Sequence, residues 1–235
     1  MDLSRVKRVI GAEATEALND VYVAVVGLGG VGGYVAEALC RSGVGHLLLI
    51  DADVVTSSNI NRQIIALLST QGQNKTEVMA ARLHDINPNC QISVNSCFYQ
   101  PGDFDKFFVD RPDFIADAID SVPSKTDLIL HALERKIPIV SAMGTGNKLC
   151  PELLTLCDIS KTEICPFAKR IRKNLRQNGV DKGLMVVTSK EAPQRTEEGS
   201  VPGSMIFVPA TAGLLMASYI VRELLRKQGI KQHDD

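Results

Sequence analysis

The chain has 235 residues, of which 45% are hydrophobic and 23% are charged, with 26 basic and 27 acidic side chains. This composition is typical of a folded globular protein that buries a sizeable core, and it argues against an intrinsically disordered chain. The net charge of −1 provides no global attraction to nucleic acid or to an anionic membrane, so a polyanionic partner would have to meet a local basic patch.

Three further features limit the class of protein. The N-terminal segment MDLSRVKRVIGAEA lacks the apolar region of a signal peptide, so we expect a cytoplasmic protein. The six cysteines include no CxxC pair, which argues against a structural zinc site and favours buried, reduced thiols. The uncharged run from Ser204 to Val221 contains Pro209 and Gly213 and is short for a membrane span, so we predict a buried or subunit-interface helix instead.

A helix over residues 5–19 is predicted to lead into the first strand. Arg5 and Arg8 lie three residues apart on it and therefore share one face. On the residues alone, a solvated amphipathic helix without a functional role explains the segment equally well.

The chain is organised around residues 21–63. A β-branched run, Val21 to Val26, enters the glycine-rich segment GLGGVG at 27–32, and an amphipathic helix pattern follows. A second apolar run, His46 to Ile50, ends at Asp51, about twenty residues beyond the glycines. This order of strand, glycine turn, helix, strand and acid predicts a Rossmann-like nucleotide site.

The glycines of that turn have distinct physical roles in the prediction. Gly27 permits the tight turn, Gly29 lets the backbone approach a phosphate, and Gly32 lets the helix and the strand pack closely. Gly30 belongs to the same phosphate-binding turn. The N-terminus of the following helix presents unpaired N–H groups to an anion, and Asp51 is placed to accept hydrogen bonds from a ribose.

The polar residues after Asp51 favour a triphosphate over a redox dinucleotide as the ligand. Arg62 and Lys75 are cations that would neutralise charge on a departing pyrophosphate, and Asn59 and Gln63 can donate further hydrogen bonds. The alternative is that these residues form an ordinary polar loop and the start of a helix.

Asp120 is the candidate metal ligand. It follows a predicted buried strand over residues 114–119, and the carboxyl end of a central parallel strand faces the ligand crevice of an open α/β sheet. Opposite a nucleotide phosphate, its carboxylate would hold Mg²⁺, which prefers oxygen ligands. The alternative is that Asp120 caps the helix that starts near Ser124, although Ser121 could also do this. Asp117 is predicted to be structural.

Helix and strand patterns alternate through the rest of the first two thirds of the chain. Helices are predicted over residues 74–85 and 124–135, and strands over residues 91–95, 137–141 and 153–158, with a flexible turn at 144–146. This unbroken alternation predicts an α/β fold with one doubly wound, mostly parallel Rossmann-like sheet, helices on both faces and a single domain over residues 1–235.

The segment 160–203 differs in character. Residues 161–182 carry seven basic and two acidic side chains, and the basic ones recur at helical spacing. Such a basic helix could meet a phosphate backbone, or it could be a solvated surface. Residues 190–203 are polar and rich in helix breakers, so we predict a mobile loop, and residues 211–227 are predicted to form the closing helix.

Five motifs, GLGGVG, IDAD, SSNINRQ, the Lys75 segment and DAIDSV, resemble in order and spacing the ubiquitin-activating-enzyme-like (ThiF/MoeB-type) adenylyltransferase superfamily. The similarity covers roughly residues 5–165. Within that superfamily the chain is most similar to the tRNA threonylcarbamoyladenosine dehydratases.

The resemblance implies a ligase-type enzyme that uses ATP to adenylate a carboxylate. It also implies Mg²⁺ bound by Asp120 and a homodimer in which Arg8 reaches the triphosphate of the neighbouring subunit. Arg62 and Lys75 are implied as the other catalytic cations. In the dehydratases, the threonyl carboxylate of threonylcarbamoyladenosine beside the tRNA anticodon is adenylated, and ring closure then releases AMP with a net loss of water.

Two other functions stay open at this point. In the sulfur-carrier branch the adenylated group is the C-terminal glycine of a small ubiquitin-like protein, but many of those relatives hold zinc with two CxxC pairs that this chain lacks. A redox or nucleotide-sensing Rossmann protein would not need Arg62, Lys75 and Asp120. A sulfur-relay protein is a further candidate partner, and Cys165 is either a reactive cysteine or an idle buried thiol.

Overall fold

A computed structural model of the protein describes residues 1–194, 201–227 and 229. The strands form one sheet of seven in the order β3-β2-β1-β4-β5-β7-β6. Their bounds are β1 Tyr22–Val26, β2 His46–Ile50, β3 Gln91–Asn95, β4 Phe114–Asp117, β5 Ile139–Ala142, β6 Leu154–Asp158 and β7 Met185–Ser189. All neighbouring strands are parallel except β6, which pairs antiparallel with β7 at the edge. The predicted doubly wound, mostly parallel sheet is therefore confirmed.

Eight α-helices cover the sheet within the described residues. They are α1 Ser4–Ile10, α2 Ala12–Asn19, α3 Gly32–Arg41, α4 Lys75–Ile86, α5 Phe104–Phe107, α6 Val122–Glu134, α7 Pro166–Gln177 and α8 Phe207–Lys227. One hydrophobic core lies on the face covered by α2, α3, α4 and α8, and includes Leu39, Met79 and Met216. A second core lies on the face covered by α5, α6 and α7, and includes Phe104 and Leu128.

The register of the central strands places the predicted site residues at one edge of the sheet. Val26 is paired with Ile50 on one side and with Asp117 on the other. The chain therefore leaves β1, β2 and β4 at the same level, and the residues that follow these strands meet above their carboxyl ends. This is the position at which open α/β sheets bind ligands, because the strand order reverses direction there.

The last helix, α8, packs its small residues against α3. A Cβ atom on Gly213 would lie 2.5 Å from the carbonyl oxygen of Val31, so the absence of a side chain permits the close approach of the two helices. α8 is long and apolar enough to cross a membrane, but half of its most apolar stretch is buried within the protein. It begins at Phe207, one turn earlier than predicted.

The predicted helix over residues 5–19 is wrong in one respect. The helix is interrupted at Gly11, whose φ of 89° lies in a region that favours glycine, so α1 and α2 are separate helices. Arg5 and Arg8 both lie on the short helix α1, where they are exposed to solvent.

The segment 160–203 contains a strand that the sequence analysis missed. β7 inserts between β5 and β6, and the basic helix is correspondingly confined to α7, Pro166–Gln177. The apolar, β-branched run 184–187 was the available signal for this strand. The predicted mobile loop at 190–203 lies partly outside the described residues, and its mobility stays a prediction.

Candidate active site

A cavity of about 400 Å³ opens above the carboxyl ends of β1, β2 and β4. Nine of the predicted site residues line it: Gly27, Gly29, Gly30, Asp51, Asn59, Arg62, Gln63, Lys75 and Asp120. Asp53, from the same motif as Asp51, and Thr145, from the predicted turn at 144–146, also line it. Four further lining residues come from segments that the sequence had not linked to the site: Phe98, Tyr99, Ser204 and Pro209. The crevice thus combines the glycine turn with acidic and basic side chains. The acidic ones are Asp51, Asp53 and Asp120, and the basic ones are Arg62 and Lys75.

The glycine turn is packed too closely to accept side chains at two positions. Gly27 has a φ of 89°, and a Cβ atom there would lie 2.8 Å from the carbonyl oxygen of Ala118. A Cβ atom on Gly32 would lie 1.7 Å from the carbonyl oxygen of Gly27, so the first residue of α3 must be glycine. Gly32 is not among the residues that line the cavity, but its lack of a side chain allows α3 to start directly behind the turn. The N-terminus of α3 then faces the crevice.

Asp51 joins the end of β2 to the glycine turn. One carboxylate oxygen accepts a hydrogen bond from the backbone N–H of Leu28 at 2.7 Å, and the other accepts one from the N–H of Asp53 at 2.8 Å. Burial raises the pKa of Asp51 above its ordinary value of 3.8, although the nearby Lys75 ammonium and the two N–H donors oppose this shift. The carboxylate is consequently a fixed acceptor at the mouth of the turn.

Lys75 is the first residue of α4 and is only 4% exposed. Its ammonium lies 2.7 Å from a carboxylate oxygen of Asp53 and 3.9 Å from one of Asp51. A buried charge needs such partners, because desolvation would otherwise make it costly. The arrangement holds a cation in the wall of the cavity, next to Asp51, which is predicted to bind the ribose.

The segment after Asp53 positions three polar side chains. The Asn59 side chain accepts from the N–H of Thr56 in a capping box, which orders the short 3₁₀ turn at Ser57–Asn59. Arg62 donates from Nη1 to the carbonyl oxygen of Ser58 at 2.7 Å, leaving its other nitrogens available to the cavity that it lines. Gln63 is 7% exposed, and its Oε1 has no hydrogen-bond partner among the described residues. A buried acceptor of this kind is costly unless a ligand or a solvent molecule satisfies it.

Asp120 lies on the opposite wall and is exposed to the cavity. The alternative prediction, that it caps the next helix, is wrong, because α6 begins at Val122 and its N-cap residue is Ser121. The Ser121 hydroxyl donates to the hydroxyl of Ser124 at 3.2 Å. The Asp120 carboxylate has no hydrogen bond or ion pair with any residue that the structure describes, so its oxygens are available to a ligand.

Arg8 is not brought to this crevice within one chain. It lies exposed on α1 and does not line the cavity. The expectation that it acts on a neighbouring subunit is compatible with this position, and it stays a prediction.

A buried ion pair beneath the crevice was missed by the sequence analysis. Lys125 donates from Nζ to a carboxylate oxygen of Asp117 at 2.7 Å and to the hydroxyl of Ser141 at 3.0 Å. Both charged side chains have no exposed surface, and burial lowers the pKa of Lys125 while the Asp117 carboxylate opposes the shift. Asp117 is thus structural, as predicted. The signal for Lys125 was its position in the apolar stripe of α6 that includes Leu128 and Ile129.

Comparisons with known proteins agree with this geometry. The sequence matches the ThiF family over residues 3–234. A tRNA threonylcarbamoyladenosine dehydratase of Bacillus subtilis is 42% identical over 248 residues, covering 99% of this chain and 98% of the relative. The Escherichia coli tRNA N6-threonylcarbamoyladenosine dehydratase, solved in complex with ATP, matches with a TM-score of 0.92 at 35% identity and covers 97% of this chain and 95% of that chain. A molybdopterin-synthase adenylyltransferase of Escherichia coli is 33% identical over 55% of this chain and 51% of its own length.

Proposed function

The chain belongs to the ThiF family, and from this membership and the crevice we propose that it cyclises threonylcarbamoyladenosine beside the tRNA anticodon in an ATP-dependent dehydration. The whole chain, residues 1–235, would act as one ATP-binding domain in the cytoplasm. The observation that carries the proposal is the convergence of Arg62, Lys75 and Asp120 with the glycine turn in one cavity. A redox dinucleotide would not need this set of charges around its phosphates.

The positions of the lining residues support one orientation for ATP. The ribose would meet Asp51, and the phosphates would run along the glycine turn toward the N-terminus of α3. Gln63 Oε1 would gain a hydrogen-bond partner from a ligand group or from an ordered water at that site. Asn59, Arg62 and Lys75 would hold the β- and γ-phosphates.

The donor set around Asp120 fits Mg²⁺ bound together with a nucleotide. Among the described residues there is no cluster of three or more His, Cys, Asp or Glu side chains that could hold a metal alone. Mg²⁺ usually takes one or two carboxylates and completes its octahedral shell with substrate phosphates and water. Asp120 would supply the carboxylate, and the bound ion would offset negative charge on the phosphates.

In the first step, an oxygen of the threonyl carboxylate attacks the α-phosphorus of ATP, and pyrophosphate leaves. No side-chain nucleophile is needed, because catalysis depends on alignment and on stabilising the charge that develops on the leaving group. Arg62 and Lys75 would stabilise that charge, and Arg8 of the neighbouring subunit would add a third cation in a homodimer.

In the second step, a nucleophile within the same modified nucleoside attacks the activated carbonyl carbon, and AMP leaves. The sum of the two steps removes one water from the nucleoside and converts ATP to AMP and pyrophosphate. The near-complete coverage of the dehydratase relatives supports this substrate over a sulfur-carrier protein, because the molybdopterin-synthase adenylyltransferase matches only about half of the chain. A sulfur-relay protein would be an additional partner rather than the substrate.

The test is to incubate purified protein with ATP and with tRNA that carries threonylcarbamoyladenosine. We expect AMP release that depends on the modified tRNA, and a nucleoside lighter by one water in mass spectrometry. The same tRNA without the modification is the matched control. Pyrophosphate exchange that responds to a ubiquitin-like protein ending in Gly-Gly but not to the modified tRNA would overturn the proposal.

A further inference from the structure

The helix α7 carries an exposed basic face that the adenylation chemistry does not use. Lys169, Arg170, Lys173 and Arg176 are exposed, whereas Ala168, Ile171 and Leu175 are buried in the second core. The helix contains no acidic residue. The exposed charges of α7 are therefore all positive, in a protein whose net charge is only −1.

Two of the five cations on α7 are already engaged. Arg172 donates to both the carbonyl oxygen and the hydroxyl of Thr162, and so anchors the preceding turn. Arg176 lies 3.4 Å from the carboxylate of Asp181. Lys169, Arg170 and Lys173 form no side-chain hydrogen bond or ion pair with any described residue. We call these three residues the basic triad.

The start of α7 lies beside the crevice. A Cβ atom on Gly144 would be 3.2 Å from both the Sγ of Cys165 and the Cβ of Phe167, which shows how closely the turn after β5 contacts the first residues of α7. The next residue of that turn, Thr145, lines the cavity. The first turn of α7 is thus separated from the ATP crevice by the turn that contains Gly144 and Thr145. The basic triad begins within that first turn of α7, at Lys169.

We propose that the basic triad docks the phosphate backbone of the tRNA anticodon stem and so presents the modified nucleoside to the crevice. The inference rests on the proposed function. Lys169 and Lys173 are four residues apart, which is about 6 Å along the helix axis, so their long side chains can contact more than one phosphate. Basic side chains without interleaved aromatic residues are suited to contacts with the backbone rather than to base stacking.

In this proposal the basic triad positions the tRNA, and the crevice recognises the modified nucleoside. Contacts with phosphates fix the position of an RNA but carry no sequence information directly, so recognition of the modified nucleoside is left to the crevice. Each phosphate that a cation neutralises releases counterions, so binding should weaken steeply as salt rises. If the basic triad instead docked an acidic protein, replacing its three residues would leave the affinity for modified tRNA unchanged.

The experiment compares two variants that each remove three positive charges. One is Lys169→Gln/Arg170→Gln/Lys173→Gln. The control is Lys106→Gln/Lys136→Gln/Lys227→Gln, whose three exposed lysines lie outside α7 and outside the cavity lining. Affinity for modified tRNA is measured by fluorescence anisotropy over a series of salt concentrations, and affinity for ATP is measured by calorimetry.

We expect the triad variant to weaken tRNA binding by at least about tenfold and to reduce the slope of log K against log salt by about 3. Its affinity for ATP and its turnover at saturating tRNA should match those of the control variant. An unchanged tRNA affinity and salt slope, in a triad variant made from a wild type that cyclises the nucleoside, would overturn this proposal alone. A wild type that does not cyclise the nucleoside would overturn the proposed function instead.

Discussion

The buried ion pair of Lys125 and Asp117 is expected to hold the loop that carries Asp120. The Lys125 ammonium lies 2.7 Å from the carboxylate, and neither side chain has exposed surface. Lys125→Met keeps an unbranched chain of similar length but removes the charge. Among the described residues, the Asp117 carboxylate would then keep two donors, the hydroxyl of Ser141 at 2.6 Å and the N–H of Ile119 at 3.1 Å.

The cost of this change follows from leaving one charge buried without its partner. Breaking a fully buried pair in this way destabilises a protein by about 3–5 kcal/mol. With a urea m-value of about 2–3 kcal/mol/M, the unfolding midpoint should fall by about 1–2.5 M. The loss is large against a total stability of about 5–15 kcal/mol, but it leaves a folded protein to assay.

Urea unfolding followed by circular dichroism measures the stability, and ATP–pyrophosphate exchange measures the site. Exchange should fall in Lys125→Met even where the protein is folded, because Asp117 ends β4 and stands only three residues before Asp120. The double variant Asp117→Asn/Lys125→Met removes both charges and should recover most of the lost stability.

Two outcomes would refute the reasoning. A loss of less than about 1 kcal/mol in Lys125→Met would mean that the buried pair is worth no more than an exposed one. A double variant as unstable as the single variant would show that lost packing, and not an unpaired charge, causes the destabilisation.

Three further predictions concern the crevice itself. Lys75→Ala and Asp120→Ala should each lower ATP–pyrophosphate exchange by about 10²–10³-fold, the usual cost of one lost charge-stabilising contact, while the circular dichroism spectrum is unchanged. Full exchange in both variants would exclude the adenylation mechanism. Gly32→Ala should abolish high-affinity ATP binding in calorimetry, because its Cβ atom would lie 1.7 Å from the carbonyl oxygen of Gly27. Wild-type affinity in this variant would show that the turn can relax without cost. Burial raises the pKa of Asp51 above 3.8, so its carboxylate is protonated at a higher pH than an ordinary aspartate and ATP affinity should fall as the pH is lowered through that raised value. Asp51→Asn should lose this component of the pH dependence, and parallel affinity profiles for wild type and variant would contradict the assigned role.

Local sequence was sufficient to predict the nucleotide crevice. The β-branched run before Gly27, the glycine spacing and the apolar run before Asp51 each predict their own element, and the parallel topology then brings the ends of those strands together. Asn59, Arg62, Gln63 and Lys75 were found because they follow that unit closely along the chain. These residues converge because the strand order brings the ends of the neighbouring strands together.

The two errors in the predicted secondary structure concern features that the local sequence pattern did not reveal. The strand β7 lies between β5 and β6 in space, but along the chain it follows a basic helix whose charge dominated the interpretation of residues 160–203. The break at Gly11 is a single-residue backbone conformation that a helical periodicity does not reveal.

By itself, the sequence determined the Rossmann-like unit, the residues that meet in its crevice and the superfamily that they resemble, because these depend on spacing within short segments. Only the tertiary structure decided that Lys125 is a buried partner of Asp117, that Arg172 is engaged with Thr162 and that Lys169, Arg170 and Lys173 make no such contacts. A charged side chain has the same letter in the sequence whether it faces water or a carboxylate. Its partner comes from a distant segment, and the packing of helices on the sheet determines which segment that is.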